Sequence, residues 1–90
     1  MTNDSQAETA TIIGLRALSW IAQEPDRLER FLALTGIGPD RLRAEAGSQT
    51  LLGAVMTHLA NHEPDLIACA KALGLTPEAL AAAHAELARD

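Results

Sequence analysis

Residues 50–65, with the sequence TLLGAVMTHLANHEPD, decide how the chain folds. They contain the most apolar helix candidate of the chain. They are also similar to residues 11–26, TIIGLRALSWIAQEPD. Matching residues at both ends of the two stretches are separated by the same 39 positions. This correspondence indicates a helical unit that the chain uses twice.

The composition predicts a single all-α domain. Ninety residues leave no room for a second hydrophobic core. Hydrophobic residues make up 48% of the chain but aromatic residues only 2%, namely Trp20 and Phe31. The apolar residues are mostly alanine and leucine, which favour helices, while the residue types that favour strands are scarce.

Charge and cysteine content restrict the expected setting. A net charge of −5 disfavours a general polyanion-binding surface. The single cysteine, Cys69, rules out an intramolecular disulfide and fits a reducing compartment. No segment approaches the roughly 18 consecutive apolar residues of a membrane span, and the N-terminus is polar and acidic. We therefore expect a cytoplasmic protein with no membrane association.

Proline and glycine residues mark the expected helix boundaries. Residues 1–7 show no periodicity and are expected to be a disordered tail before a helical domain over residues 8–90. Each of the four prolines precedes an acidic residue, a pattern typical of the first turn of a helix. Three glycines, Gly36, Gly47 and Gly74, follow periodic runs and should end helices in the left-handed conformation. The six helices are expected over residues 8–23, 25–35, 39–46, 49–61, 64–73 and 77–88.

The repeat predicts a symmetric architecture. Residues 11–47 and 50–88 would each form three helices, and the two halves would pack as a compact six-helix bundle around a pseudo-two-fold axis. Gly14 and Gly53 occupy matching positions inside helices, where glycine costs up to about 1 kcal/mol relative to alanine. We expect them to mark a close approach of helices one and four. The slightly less favoured alternative is that both glycines are neutral sequence changes that a strong helix tolerates.

In the fifth helix, we expect Ile67 and Cys69 to be buried.

His58 and His62 form the candidate metal-binding pair that the sequence suggests. They are four residues apart on one helix, a spacing that lets two imidazoles share a metal ion, and Glu63, His84 or Cys69 could supply a third ligand. The pattern lacks the glutamate of the HExxH motif. A pair at the edge of the apolar stripe, half exposed to water, explains it better, so no metal and no cofactor is expected. We expect His84 to be a hydrogen-bonded boundary residue.

A second candidate site is the segment from Leu34 to Pro39, LTGIGP. It looks like the hairpin of helix-hairpin-helix DNA-binding modules, in which backbone amides of a Gly-hydrophobic-Gly turn hold a phosphate. Gly36 and Gly38 would supply the turn, and Arg41 and Arg43 the positive charge. Asp40, however, stands where those modules usually carry lysine. A tight helix–helix turn is the better explanation.

Several segments resemble a known family. The strings LRALSWIA at residues 15–22 and RFLALTG at residues 30–36, with the later Pro-Glu-Ala-Leu segment, are similar to small bacterial proteins catalogued as domain of unknown function 3572. The resemblance covers nearly the whole chain after the N-terminal tail and implies a compact helical protein. It supplies no catalytic residues. Genes of the family often lie beside a response-regulator gene, which hints at signalling.

These observations favour a non-enzymatic module that binds a protein partner, or a second copy of itself, in the manner of a regulatory or signalling adaptor. No catalytic triad, phosphate loop or inward-facing carboxylate pair can be assembled. Ala81, Ala82 and Ala85 of the last helix should point away from Leu80 and Leu87 and form a smooth face that could accept another helix; the alternative is an ordinary helix surface of high propensity. The alternative is weak, sequence-independent DNA binding through Gly36, Gly38, Arg41 and Arg43.

Overall fold

The computed structural model describes residues 2–88 and, for side chains, residues 7–88. This part of the chain contains six α-helices and no strand. The helices are α1 (Thr2–Ala22), α2 (Pro25–Thr35), α3 (Pro39–Glu45), α4 (Gln49–Ala60), α5 (Glu63–Leu73) and α6 (Pro77–Leu87). The all-α prediction is therefore confirmed, and five of the six helices begin and end within a residue of their expected bounds.

The first helix begins earlier than the sequence predicts. The structure has α1 helical from Thr2 instead of residue 8, so residues 2–7 of the expected disordered tail continue the helix. These residues include neither proline nor glycine, so nothing in them breaks a helix. Met1 lies outside the described residues.

Proline and hydroxyl side chains set the helix starts as expected. A proline occupies the first or second position of α2, α3, α5 and α6, where a missing backbone N–H is harmless. The Thr76 hydroxyl accepts a hydrogen bond from the Ala79 N–H at 3.1 Å, and Ser48 does the same for the Leu51 N–H at 3.1 Å. Each of these caps satisfies one N–H that has no partner within its helix.

Two of the three glycines that were expected to end helices in the left-handed conformation do so. Gly36 ends α2 at a φ of 74° and Gly74 ends α5 at a φ of 72°, both in the left-handed region. The expectation for Gly47 is wrong, because no other described glycine has a positive φ. The chain leaves α3 through a tight turn in which the Ser48 N–H donates to the Glu45 carbonyl at 2.8 Å, and this turn does not require the left-handed conformation.

The core lies among α1, α4 and α6, each of which packs against the other two. Helices α2 and α5 close two of its sides, and α3 makes at most marginal contact with the other helices and buries no residue. The buried apolar side chains are Ala10, Ile13, Ala17, Leu18, Trp20, Ile21, Phe31, Ile37, Leu51, Leu52, Val55, Met56, Leu59, Cys69, Ala70, Leu80, Ala83 and Leu87.

Within residues 2–88 no single helix is long and apolar enough to span a membrane. Helices α5 and α6 reach that length and apolar character only as a pair, and the pair is bent by 104°.

The pseudo-two-fold arrangement is not confirmed. The first two helices of each half do have equivalent neighbours, because α2 packs on α4 and α5 packs on α1. The third helices differ, since α6 packs against both α1 and α4 while α3 stays at the periphery. Leu80 of α6 is fully buried, whereas Leu42, its counterpart in α3, is only half-buried.

The two helical glycines do not face each other. A Cβ atom at Gly14 would lie 3.2 Å from Leu52 Cβ of α4 and 3.2 Å from Leu87 Cδ1 of α6, so α1 does approach α4 closely there. A Cβ atom at Gly53 would instead lie 3.5 Å from the Leu87 carbonyl oxygen. The expected approach is thus correct for Gly14 and wrong for Gly53, which faces the end of α6.

Candidate functional site

An open groove runs between the end of α2 and the outer side of α4. It has a volume of about 440 Å³. Its lining residues are Leu34, Thr35, Ala54, Thr57, His58, Asn61 and His62. Both histidines that the sequence singled out therefore belong to one surface depression, together with the exposed side chain of Leu34.

His58 is more deeply placed than the sequence predicts. Its side chain is only 5% exposed, and its ring makes a T-shaped contact with the Phe31 ring, with centroids 5.2 Å apart. The expectation of a residue half in water is wrong for His58, because α2 covers the flank of α4 at this point. Burial lowers the pKa of His58, and the neighbouring His62 lowers it further, so the ring is neutral near pH 7.

His62 lies half-buried beside it, just after α4 ends. The two imidazole centroids are 4.6 Å apart, and the ring planes are inclined by 31°. His62 Nδ1 lies 2.8 Å from the His58 carbonyl oxygen. A carbonyl oxygen can only accept, so His62 Nδ1 is the donor in this hydrogen bond.

The third ligands suggested by the sequence do not join the pair. His84 Nε2 lies 2.9 Å from Thr57 Oγ1, so this histidine is the hydrogen-bonded boundary residue that we expected. Cys69 is fully buried, and burial raises the pKa of its thiol to about 11, which keeps it protonated. Glu63 is exposed at the start of α5. Among the described side chains, no three histidine, cysteine or acidic residues form a group that could hold a metal ion.

The helix-hairpin-helix-like segment has the expected turn but little free positive charge. Gly36 is left-handed, and both Gly36 and Gly38 have open space where a Cβ would lie. Arg43 donates to Asp40 at 2.6 Å, and Arg41 pairs with Glu45 at 3.4 Å. The two arginines that would attract a phosphate thus each lie beside a carboxylate of the same short helix.

Two arginines of α2 have structural contacts that the sequence did not indicate. The Arg27 guanidinium lies over the Trp20 ring, with Cζ 3.8 Å from the ring centroid, and Arg27 donates to the Trp20 carbonyl. Arg30 pairs with Asp65 of α5 at 2.8 Å, across 35 residues of sequence. No local pattern signals either contact, because each depends on how α2 is placed against other helices.

The outer side of α6 is smooth. Ala81, Ala82 and Ala85 are exposed, while Leu80, Ala83 and Leu87 are buried, which confirms the orientation that the sequence predicts for this helix. Large apolar side chains are also exposed elsewhere: Ile12 is 57% exposed, Leu34 58% and Ile67 50%. The expectation that Ile67 is buried is wrong, since α5 turns only Cys69 and Ala70 fully into the core.

Comparison with known proteins identifies a family but no function. No curated protein and no solved structure matches the chain. The model of one family, described as "Protein of unknown function (DUF3572)", matches residues 7–90, which is nearly the whole chain. On that match the chain belongs to the DUF3572 family.

Proposed function

We propose that this protein is a non-enzymatic interaction module that binds a helix of a partner protein, or of a second copy of itself, along the outer side of α6. The observation that carries the proposal is the alanine face formed by Ala81, Ala82 and Ala85. These residues are exposed while the opposite side of the same helix packs into the core.

The alanine face suits a helical partner because alanine extends no further than its Cβ. Helix axes approach to 8–10 Å, and the smallest side chains allow the shorter distance. Ala81 and Ala85 lie one turn apart, and Ala82 lies beside them, so a partner's larger side chains would fit between them. The binding of a partner would also remove water from the exposed methyl groups of these alanines.

Binding of DNA is the less favoured alternative. It would use Gly36, Gly38, Arg41 and Arg43, and the net charge of −5 opposes it. The ion pairs of Arg41 with Glu45 and of Arg43 with Asp40 further reduce the positive field at the turn. The regulatory role, the cytoplasmic location and the absence of enzymatic activity belong to the same proposal and rest on the sequence arguments above.

A capture experiment with matched variants tests the proposal. The tagged protein is incubated with native lysate, with and without nuclease, and retained proteins are identified by mass spectrometry. The same capture is repeated with the double substitution Ala81→Arg and Ala85→Arg, and with the control pair Ala68→Arg and Ala72→Arg. The control residues are exposed alanines with the same spacing on α5. Sedimentation of the purified variants tests self-association in parallel.

We expect one protein, or a second copy of the chain, to be retained with and without nuclease. The α6 pair of arginines should abolish this binding, and the α5 pair should leave it intact. Circular dichroism is needed to show that both double variants are folded. A partner that binds the α6 variant as well as the wild type would contradict the proposed face, and capture that depends on nucleic acid would favour the hairpin instead.

A further inference from the structure

Residues 25–45, which form α2, α3 and the turn between them, are held to the rest of the fold by few buried side chains. Phe31 is the one buried side chain among those described in α2, and the described side chains of α3 include none. Ile37 in the turn is also buried. Helix α4, by contrast, buries six side chains within twelve residues. Segments with few buried contacts are the ones that open while the remainder of a protein stays folded.

The polar contacts of α2 at the edge of the core are weak fastenings. Arg30 pairs with Asp65 of α5 at 2.8 Å, but 46% of the Arg30 side chain is exposed, so water screens this ion pair. The Arg27 guanidinium lies over the Trp20 ring and donates to the Trp20 carbonyl. Arg27 Nε, however, is buried and has no hydrogen-bond partner among the described residues. A buried donor without a partner is unfavourable, so water reaching Arg27 would offset part of the loss when α2 opens.

The flank of α4 that α2 covers carries a titratable group. The His58 side chain is 5% exposed, and its ring makes a T-shaped contact with the Phe31 ring. The buried side chain that anchors α2 in the core therefore rests on an imidazole. Imidazole takes up a proton between about pH 5 and 8, and its charged form is much better solvated in water than among apolar side chains. A proton on His58 consequently opposes the closed position of Phe31.

The groups around His58 together favour its neutral form while α2 is in place. Burial is the main cause that lowers the pKa of His58, and His62, which precedes α5, lowers it further. Asp65 of α5 raises the pKa and Arg30 of α2 lowers it, and these two side chains pair with each other. Because the closed state resists a proton that the open state accepts, its advantage is complete at high pH and falls as the pH falls.

We propose that residues 25–45 form a pH-sensitive strap, which leaves α4 while the other helices stay folded and whose release is driven by protonation of His58. Release uncovers the flank of α4 on which Phe31 rests. The strap does not involve the alanine face of α6, so the inference goes beyond the proposed function and stands or falls independently of it.

Native-state hydrogen exchange tests the proposal. The amides of α2 and α6 are followed by nuclear magnetic resonance at pH 7.5 and 5.5, in low concentrations of urea, and corrected for their intrinsic exchange rates. The variant is His58→Gln, which keeps a polar side chain of similar size that does not titrate. The matched control is His84→Gln, which removes a histidine of α6 that contacts Thr57 and not α2.

We expect the wild-type α2 amides to exchange with a lower opening free energy and a weaker dependence on urea than the α6 amides beside the buried Leu80. The opening constant of α2 should rise by up to about tenfold from pH 7.5 to pH 5.5, because an exposed histidine titrates near pH 6.5. The rise should persist in His84→Gln and vanish in His58→Gln.

Two kinds of result would overturn the proposal. Equal opening free energies and equal urea dependences for α2 and α6 would show that α2 does not open on its own, and this comparison needs the wild type alone. A wild-type rise of less than about twofold, an equal rise in His58→Gln, or loss of the rise in His84→Gln would each show that His58 does not drive the opening.

Discussion

Gly14 and Gly53 occupy equivalent positions in the sequence repeat, yet their surroundings predict opposite effects of the same substitution. Alanine at either position gains up to about 1 kcal/mol of helix propensity over glycine. The difference must come from what the added methyl group meets. At Gly14 it would meet Leu52 Cβ and Leu87 Cδ1, both at 3.2 Å, while at Gly53 it would meet only the Leu87 carbonyl oxygen, at 3.5 Å.

At Gly14 the contact of the added methyl group with Leu52 Cβ is tighter than normal van der Waals packing and, unlike the contact with Leu87 Cδ1, cannot be relieved by rotating a side chain. A Cβ atom moves only with its backbone, so α1 or α4 would have to shift by a few tenths of an ångström. Overpacking of this kind costs about 1–3 kcal/mol, which exceeds the gain in propensity. We expect Gly14→Ala to destabilise the protein by about 1 kcal/mol, and Gly53→Ala, with an ordinary contact, to stabilise it by about 0.5–1 kcal/mol.

Urea unfolding followed by circular dichroism measures both free energies of unfolding, and unchanged m values would show that the unfolded states are comparable. Gly53→Leu extends the series, because its larger side chain would collide with the backbone at the end of α6 and should cost much more than Gly53→Ala. If the two alanine substitutions changed stability by the same amount and in the same direction, the asymmetric packing of the repeat would be refuted. Equal, small effects of Gly53→Ala and Gly53→Leu would show that α6 does not approach Gly53.

Three further predictions follow from burial. Burial lowers the pKa of His58, so below about pH 6.5 the unfolded chain takes up a proton that the folded chain resists. Urea unfolding should therefore give a lower free energy of unfolding at pH 5.5 than at pH 7.5, and the decrease should be smaller in His58→Gln. A stability difference between the two proteins that does not change with pH would contradict this. The Cys69 thiol, with a pKa of about 11, should react with a thiol reagent at pH 8 only at the rate of unfolding, and rapid labelling of the native protein would show that the site is open. Leu80→Ala should cost about 2–5 kcal/mol in chemical unfolding and Leu42→Ala clearly less, since only Leu80 is fully buried; equal costs would place α3 in the core.

The helix boundaries could be predicted from sequence because local chemistry sets them. A proline before an acid begins a helix wherever the helix packs, and the Thr76 and Ser48 hydroxyls find their N–H donors one turn away. Gly36 and Gly74 end helices because only glycine enters the left-handed region without strain. Gly47 shows the limit of this reasoning, since a glycine after a helix is also compatible with an ordinary turn.

The packing of the helices could not be predicted, because it depends on contacts between distant segments. The repeat in the sequence does not specify which helices pack together, and it does not show that α6 enters the core while α3 stays outside. The groove depends on the same information. Nothing in the local sequence indicates that Phe31 covers His58. The spacing therefore shows the pair of histidines but not the burial of His58.

The difference between α3 and α6 bears directly on the proposed function. The inner side of α6 requires small and apolar residues, because Leu80, Ala83 and Leu87 pack between α1 and α4. The outer side has no such requirement. Glutamate, lysine and arginine favour helices nearly as well as alanine, and the exposed positions of α3 carry Asp40, Arg41 and Arg43. Alanine has the highest helix propensity of all residues, so Ala81, Ala82 and Ala85 also suit an ordinary exposed helix surface. Under the proposed function, their small size lets a partner helix approach α6 closely.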